Sequence, residues 1–121
     1  MIHGTFDDVG HLFFEIELII ANDLSLPEQA MLDTGFTGFL AINKQDIDGF
    51  EWTYVGQERM VTAQGIKRFE LYSGKIMLDE QEYEIPVFVG NGIPEVLLGS
   101  EWLKILPLSV NYQAGILTLG D

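Results

Sequence analysis

The chain has 121 residues, nearly half of them apolar, so we expect a folded globule and predict a single domain spanning 1–121. Six basic residues against nineteen acidic residues give a net charge of −13, which repels nucleic-acid phosphates and anionic membrane surfaces. Neither is therefore expected as a partner. The sequence has no cysteine, which excludes disulfides and thiolate chemistry.

Metal and cofactor chemistry is also not expected. The two histidines, His3 and His11, lie near the N-terminus without ligand spacing, so we predict neither a metal site nor a Ser-His-Asp triad. Residues 1–8 lack the basic and apolar regions of a signal peptide, and the apolar run 18–21 is too short to cross a bilayer. A soluble cytoplasmic protein that needs no cofactor is the expectation.

The pattern in the first part of the sequence predicts mainly strands. Glu15 and Glu17 alternate with apolar neighbours, a period of two that indicates a half-buried strand. The predicted segments are strands at 11–21, 29–32 and 39–42, a connection at 22–28 containing Pro27, and a helical turn at 44–47 capped by Asn43.

Strand signals continue to the C-terminus. The predicted segments are a strand at 52–55, hairpins pairing 59–63 with 66–72 and 74–78 with 83–89, a strand at 95–98, and a last hairpin of 108–111 with 116–119. Ser100 is the predicted cap of a single helix, about 100–106, which Pro107 ends. The pattern predicts an all-β fold, a small closed barrel or sandwich of short, mostly antiparallel strands with one short C-terminal helix.

One stretch, 30–40, combines an apolar run with a single carboxylate. Asp33 follows Leu32 directly, and Gly35 and Gly38 then allow the backbone to bend around it. Aspartate is depleted in strands, so its position between a strand and a glycine turn indicates a function. Taken alone, the same residue is also compatible with a turn aspartate that caps nearby N–H groups.

The order apolar-apolar-Asp-Thr-Gly, followed much later by Leu97-Leu98-Gly99 and a short helix, resembles the retroviral-type (retropepsin-like) aspartic proteases. Phe36, where alanine or serine is more usual, resembles a small free-standing prokaryotic subgroup. The resemblance implies an acid-protease-like barrel and a catalytic loop made by Asp33, Thr34 and Gly35. It also implies that Thr34 hydrogen-bonds across a homodimer.

Further roles follow from the same resemblance. Leu97, Leu98 and Gly99 would support the active-site loop from below. The segment 61–66 resembles the family's flap, a hairpin that closes over an extended peptide. The implied substrate-binding residues are Phe36 as an apolar wall and, from the flap, Val61, Thr62, Ala63, Gln64 and Gly65.

The chain departs from the family at a supporting contact. Retroviral enzymes often pair an arginine after the second motif with an aspartate two residues after the catalytic glycine. This sequence has Ser100 and Thr37 at those places. We expect a contact between hydroxyl groups to replace the ion pair.

Peptide hydrolysis without a metal needs one group to activate water and another to protonate the carbonyl, and two adjacent carboxylates supply both. The chain has one Asp-Thr-Gly, so the second must come from another copy in a symmetric homodimer. We therefore predict an aspartic endopeptidase acting on an extended peptide. The alternatives are a catalytically silent dimeric module that binds peptide or protein and, third, a small barrel for an apolar ligand.

The pH dependence of peptide cleavage is a first prediction. Phe36 cannot hydrogen-bond the Asp33 carboxylate as a hydroxyl could, and it adds apolar surface, so both effects disfavour charge on the carboxylate pair. We expect cleavage to be fastest nearer neutral pH than in a stomach-type enzyme. The measurement is the initial rate of peptide cleavage across pH, and an optimum only below about pH 3 would contradict it.

Overall fold

The computed structural model describes residues 1–62 and 65–121, and most of these residues lie in strands. Those ranges contain eleven strands: β1 (Ile2–His3), β2 (Thr5–Phe6), β3 (Leu12–Ile19), β4 (Ser25–Leu32), β5 (Leu40–Asn43), β6 (Thr53–Thr62), β7 (Gly65–Leu78), β8 (Gln81–Gly90), β9 (Val96–Leu98), β10 (Leu108–Asn111) and β11 (Ile116–Leu119). They also contain three short 3₁₀ helices, Ala21–Asp23, Lys44–Ile47 and Ser100–Lys104.

The larger sheet closes on itself. Its strand order is β2-β3-β4-β9-β5-β8-β7-β6, and β3 pairs in addition with β7 through Leu18 and Ile76. Six strands therefore form a closed ring from β3 through β7, with parallel pairs only at β4–β9 and β5–β8. Closure pairs each of these strands on both sides over at least part of its length. A second sheet has the order β1-β11-β10, and Leu117 and Leu119 of β11 belong to the same buried core as the barrel strands.

The barrel interior is filled by alternating apolar side chains. On β3, Phe14, Ile16 and Leu18 are each 1% exposed, as the period of two in the sequence predicts. Trp102, which is fully buried, donates its indole Nε1–H to the carbonyl of Phe39 at 2.8 Å. The largest side chain of the core is thus both packed and hydrogen-bonded.

The all-β prediction is confirmed, and the last predicted hairpin matches β10 and β11. The predicted connection at 22–28 was wrong in its second half, because β4 already begins at Ser25. Pro27 is tolerated there because β4 pairs only with β3 before Ala30, so it is locally an edge strand. β7 runs unbroken through Ser73, where a break was predicted, and β1 and β2 are too short to show alternation.

The predicted C-terminal helix needs a correction. It is a 3₁₀ helix of five residues, Ser100–Lys104, and its N-cap is Gly99, with no side-chain cap from Ser100. The backbone N–H groups that a cap would satisfy are already bonded, since Ser100 N–H donates to Phe36 O at 2.8 Å and Glu101 N–H to Gly38 O at 3.3 Å. No helix in the described ranges is long and apolar enough to span a bilayer.

Glu28 provides a test of how charge affects this fold. Partial burial on β4, with Asp46 and Glu95 nearby, raises its pKa. The folded chain therefore holds this proton to higher pH than the unfolded chain, and stability falls as pH rises through the carboxyl range. We expect Glu28→Gln to raise the free energy of unfolding at pH 7 by a few tenths of a kcal/mol, after allowing for solvent screening, and to have no such effect near pH 3.

The measurement is urea unfolding at both pH values, with Glu15→Gln as the control. Glu15 is an exposed residue of the neighbouring strand, so its substitution removes the same charge without relieving burial. Equal gains from both substitutions would show that net charge, and not the site of Glu28, sets the effect.

Candidate active site

Asp33 lies where two parallel strands end together. β9 is hydrogen-bonded between β4 and β5, with Leu32 opposite Leu98 in the parallel pair. Beyond the end of β4, the Asp33 N–H donates to the carbonyl of Leu98 at 2.9 Å. The backbone of Asp33 is therefore fixed by the buried strand beside it, and Leu98 itself has no exposed surface.

The turn after Asp33 holds its carboxylate in place. The N–H of Gly35 donates to Asp33 Oδ1 at 2.9 Å, and the N–H of Phe36 donates to the Asp33 carbonyl at 3.1 Å. Asp33 is half-buried while Thr34 and Gly35 are exposed. One carboxylate oxygen is thus oriented by a backbone donor, at a loop that a second molecule can approach.

Backbone hydrogen bonds join this loop to the segment after β9. The N–H of Gly99 donates to Phe39 O at 3.1 Å, and the N–H of Ser100 donates to Phe36 O. The expected hydroxyl contact between Thr37 and Ser100 is absent from the hydrogen bonds of the described residues. Backbone hydrogen bonds therefore join the two segments, in place of the expected contact between hydroxyl groups.

The crossing is possible because Gly99 has no side chain. A Cβ at this position would lie 2.0 Å from the carbonyl oxygen of Gly38 and 2.7 Å from that of Phe36, both of which are backbone atoms. A Cβ on Gly38 would lie 2.6 Å from the ring of Phe36. Gly38 therefore leaves space for the ring of Phe36, and Gly99 allows the two backbone segments to come into contact.

Phe36, predicted to form an apolar wall for substrate, is only 5% exposed in this chain. Its contact with substrate stays a prediction. The ring packs edge-on against Phe88 at a centroid distance of 5.5 Å, and Phe88 packs against Phe69 at 6.0 Å. Phe36 therefore supports the loop, and an aromatic row links it to β7.

Sequence reasoning missed Phe88 and Phe69. They lie 19 positions apart, so no local period relates them, and only the β7–β8 register brings them near each other. Phe69 is partly buried and shares its face of the hairpin with Met60, as the pairing Met60↔Lys67 shows. This face continues the aromatic row that begins at the Asp33 loop.

The predicted flap residues lie on or beside a hairpin. β6 and β7 pair antiparallel up to Thr62↔Gly65, and Gly65 has a φ of +105°. Ala63 and Gln64 lie outside the described residues, as do the side chains of Val61 and Thr62. A hairpin was predicted here, but with Gly65 in the turn, whereas the register pairs Gly65 with Thr62. Contact with substrate stays a prediction for all five residues.

The chemical groups near Asp33 are few. Among the described residues, no cluster of three histidine, aspartate or glutamate side chains could hold a metal ion. In those ranges, no second carboxylate is hydrogen-bonded to Asp33, whose recorded side-chain partner is the N–H of Gly35.

The barrel with this loop has the fold of the retropepsin-like aspartic proteases. It is similar to a retropepsin-like aspartic protease from Rickettsia conorii, with a TM-score of 0.68 and 21% identity, covering 98% of this chain and 88% of that one. It is also similar to EIAV protease in complex with the inhibitor HBY-793, with a TM-score of 0.63 and 15% identity, covering 83% and 91%. No family model and no curated protein matches the sequence.

Gly99 and Ser100 provide a matched test of the crossing. Gly99→Ala places a methyl group against two carbonyl oxygens that cannot move independently, so we expect it to lower the free energy of unfolding by about 1–3 kcal/mol. Ser100→Ala leaves the backbone bonds intact and should change it by less than about 0.5 kcal/mol. Denaturant unfolding of both variants is the measurement, and equal effects would contradict the role assigned to Gly99.

Proposed function

We propose that this chain is an aspartic endopeptidase that is active as a homodimer. The observation that carries the proposal is the Asp33 carboxylate, oriented by Gly35 N–H at 2.9 Å in a loop that a barrel of the retropepsin-like fold holds in place. The whole chain, 1–121, would act as one catalytic domain. It needs no cofactor, and we propose a cytoplasmic location for it.

In this proposal a two-fold axis brings the Asp33 residues of two copies together. Two carboxylates in contact cannot both be ionised, so they share one proton. The ionised Asp33 removes a proton from water, while its protonated counterpart polarises the carbonyl of the scissile peptide bond. The Gly35 N–H on Oδ1 fixes the orientation of each carboxylate before substrate arrives.

Thr34 is well placed to join the two copies. It is exposed, and no hydrogen bond of its side chain is recorded within the described residues, so its hydroxyl is available to the partner's loop. An extended peptide would lie between the copies, with the β6–β7 hairpins covering it. Exclusion of water by such a cover strengthens the electrostatic interactions on which the reaction depends.

The direct test is cleavage of a diverse peptide library by the purified chain between pH 3 and pH 8. Asp33→Asn should lower the rate by about 10²–10⁴-fold, because it removes the group that exchanges protons. Asp8→Asn is the control, since it removes the same charge from an exposed N-terminal residue. Full cleavage by Asp33→Asn would rule out this mechanism.

A mixture of the unsubstituted chain and the Asp33→Asn variant tests whether both copies of a dimer contribute a carboxylate. If the active species holds two Asp33 carboxylates, adding Asp33→Asn in excess to a fixed amount of unsubstituted chain should lower its activity through mixed dimers. Raised salt should favour pairing, because each copy carries a net charge of −13. A confirmed dimer that cleaves no peptide would instead favour the binding module.

A further inference from the structure

The hairpin of β6 and β7 carries an unusual share of the positive charge. Four of the six basic residues, in a chain with nineteen acidic ones, lie on these two strands. Lys75 lies where β7 pairs with β3, whereas Arg59, Lys67 and Arg68 lie where β6 pairs with β7, and these three are exposed. Arg59 lies directly opposite Arg68 in the antiparallel register, so both side chains extend from the same face of the hairpin.

This arginine pair has an energetic cost that the chain does not compensate. Like charges directly opposite each other on neighbouring strands destabilise a sheet. Neither Arg59 nor Arg68 makes an ion pair or a side-chain hydrogen bond with the described residues, whereas Lys44 and Lys104 are each paired with a glutamate. Two guanidinium groups held side by side form a site for an anion from outside the chain.

A cavity lies on the same face, next to Arg68. Its volume is about 190 Å³, and its polar lining comes from Lys44 and Asn91 on the barrel side and from Gln57, Arg68 and Glu70 on the hairpin. This volume is below that of typical drug-sized ligand pockets, so the cavity suits a small ion.

Lys44 keeps its positive charge at the edge of the cavity. Lys44 Nζ lies 2.9 Å from Glu70 Oε1, and this hydrogen bond raises the pKa of Lys44. Lys44 therefore stays protonated at every physiological pH. With the arginine pair, three cations lie on this surface, where Glu70 is bonded to Lys44 and Asp48 also lies near Lys44.

The face is distinct from the one that leads to Asp33. Phe69 contacts Phe88, which contacts Phe36 of the catalytic-type loop. Side chains alternate along β7, so Arg68 and Glu70 extend from the other face. The arginine pair and Glu70 therefore lie on the opposite face of the hairpin from Phe69, although Phe69 also lines part of the cavity.

We propose that Arg59, Arg68 and Lys44 form a binding site for a small oxyanion of the phosphate or dicarboxylate class, on the outer face of the hairpin. The guanidinium groups would bind two oxygens of the ion, and Lys44 would neutralise the remaining charge from the barrel side. The bound ion would link the hairpin to the barrel and thereby restrict its motion. This inference does not depend on whether Asp33 cleaves peptides.

The test is calorimetric titration of the full chain with inorganic phosphate and, separately, with malonate, in low-salt buffer of matched ionic strength. We expect saturable binding of at least one ion with a Kd of about 1 mM or tighter. Tighter binding of phosphate or of malonate identifies which source of oxyanion the site prefers. The double variant Arg59→Gln/Arg68→Gln should weaken binding at least tenfold.

The matched control is Lys75→Gln/Lys104→Gln, which also removes two positive charges, one from the part of β7 that pairs with β3 and one from the last 3₁₀ helix. It should bind the ion as the unsubstituted chain does. Thermal unfolding gives an independent readout, because an ion that binds the folded state raises Tm, and the arginine variant should lose that rise while remaining folded. Binding of neither ion, or equal weakening by both double variants, would overturn the proposal.

Discussion

The close crossing of the chain at Gly99 is the constraint on which the candidate site depends. The segment after β9 passes directly beneath the loop 36–39, and backbone N–H groups donate upward to its carbonyl oxygens. These bonds fix the loop, which fixes Asp33, and they also occupy the donors at the start of the last 3₁₀ helix. A side chain at Gly99 would separate the two segments. The carboxylate is thus oriented by main-chain geometry more than by neighbouring side chains.

Phe36 shows how this geometry tolerates a large residue in the loop. Its ring fills the volume left open by Gly38 and Gly99 and extends the core toward Phe88. Because the ring is buried, it supports the loop from below. The loop therefore combines an exposed hydrophilic tip with an aromatic base. Such a base suits a site that has to keep its shape when a second molecule approaches.

The sequence predicts the parts of this structure that depend on local pattern. Alternation identified β3, and turn residues identified the hairpin of β10 and β11. The resemblance predicted that Leu97, Leu98 and Gly99 support the Asp33 loop, without showing which hydrogen bonds join the two segments. The strand start at Ser25 was missed because Pro27 is compatible with a strand only where one edge is unpaired, a condition set by tertiary structure. Phe88 and Phe69 were missed for the same reason, since their contact depends on a register between distant segments.

β7 is one unbroken strand whose two halves lie in different environments. The second half of the strand is built into the barrel, where Ile76 and Leu78 are almost fully buried, whereas the first half pairs with β6 in solvent-exposed positions. A bulge in β6 between Tyr54 and Gly56 interrupts the register near the junction of the two halves. The bulge therefore increases the local twist of the ribbon, so that one continuous strand turns from the wall of the barrel into an exposed hairpin.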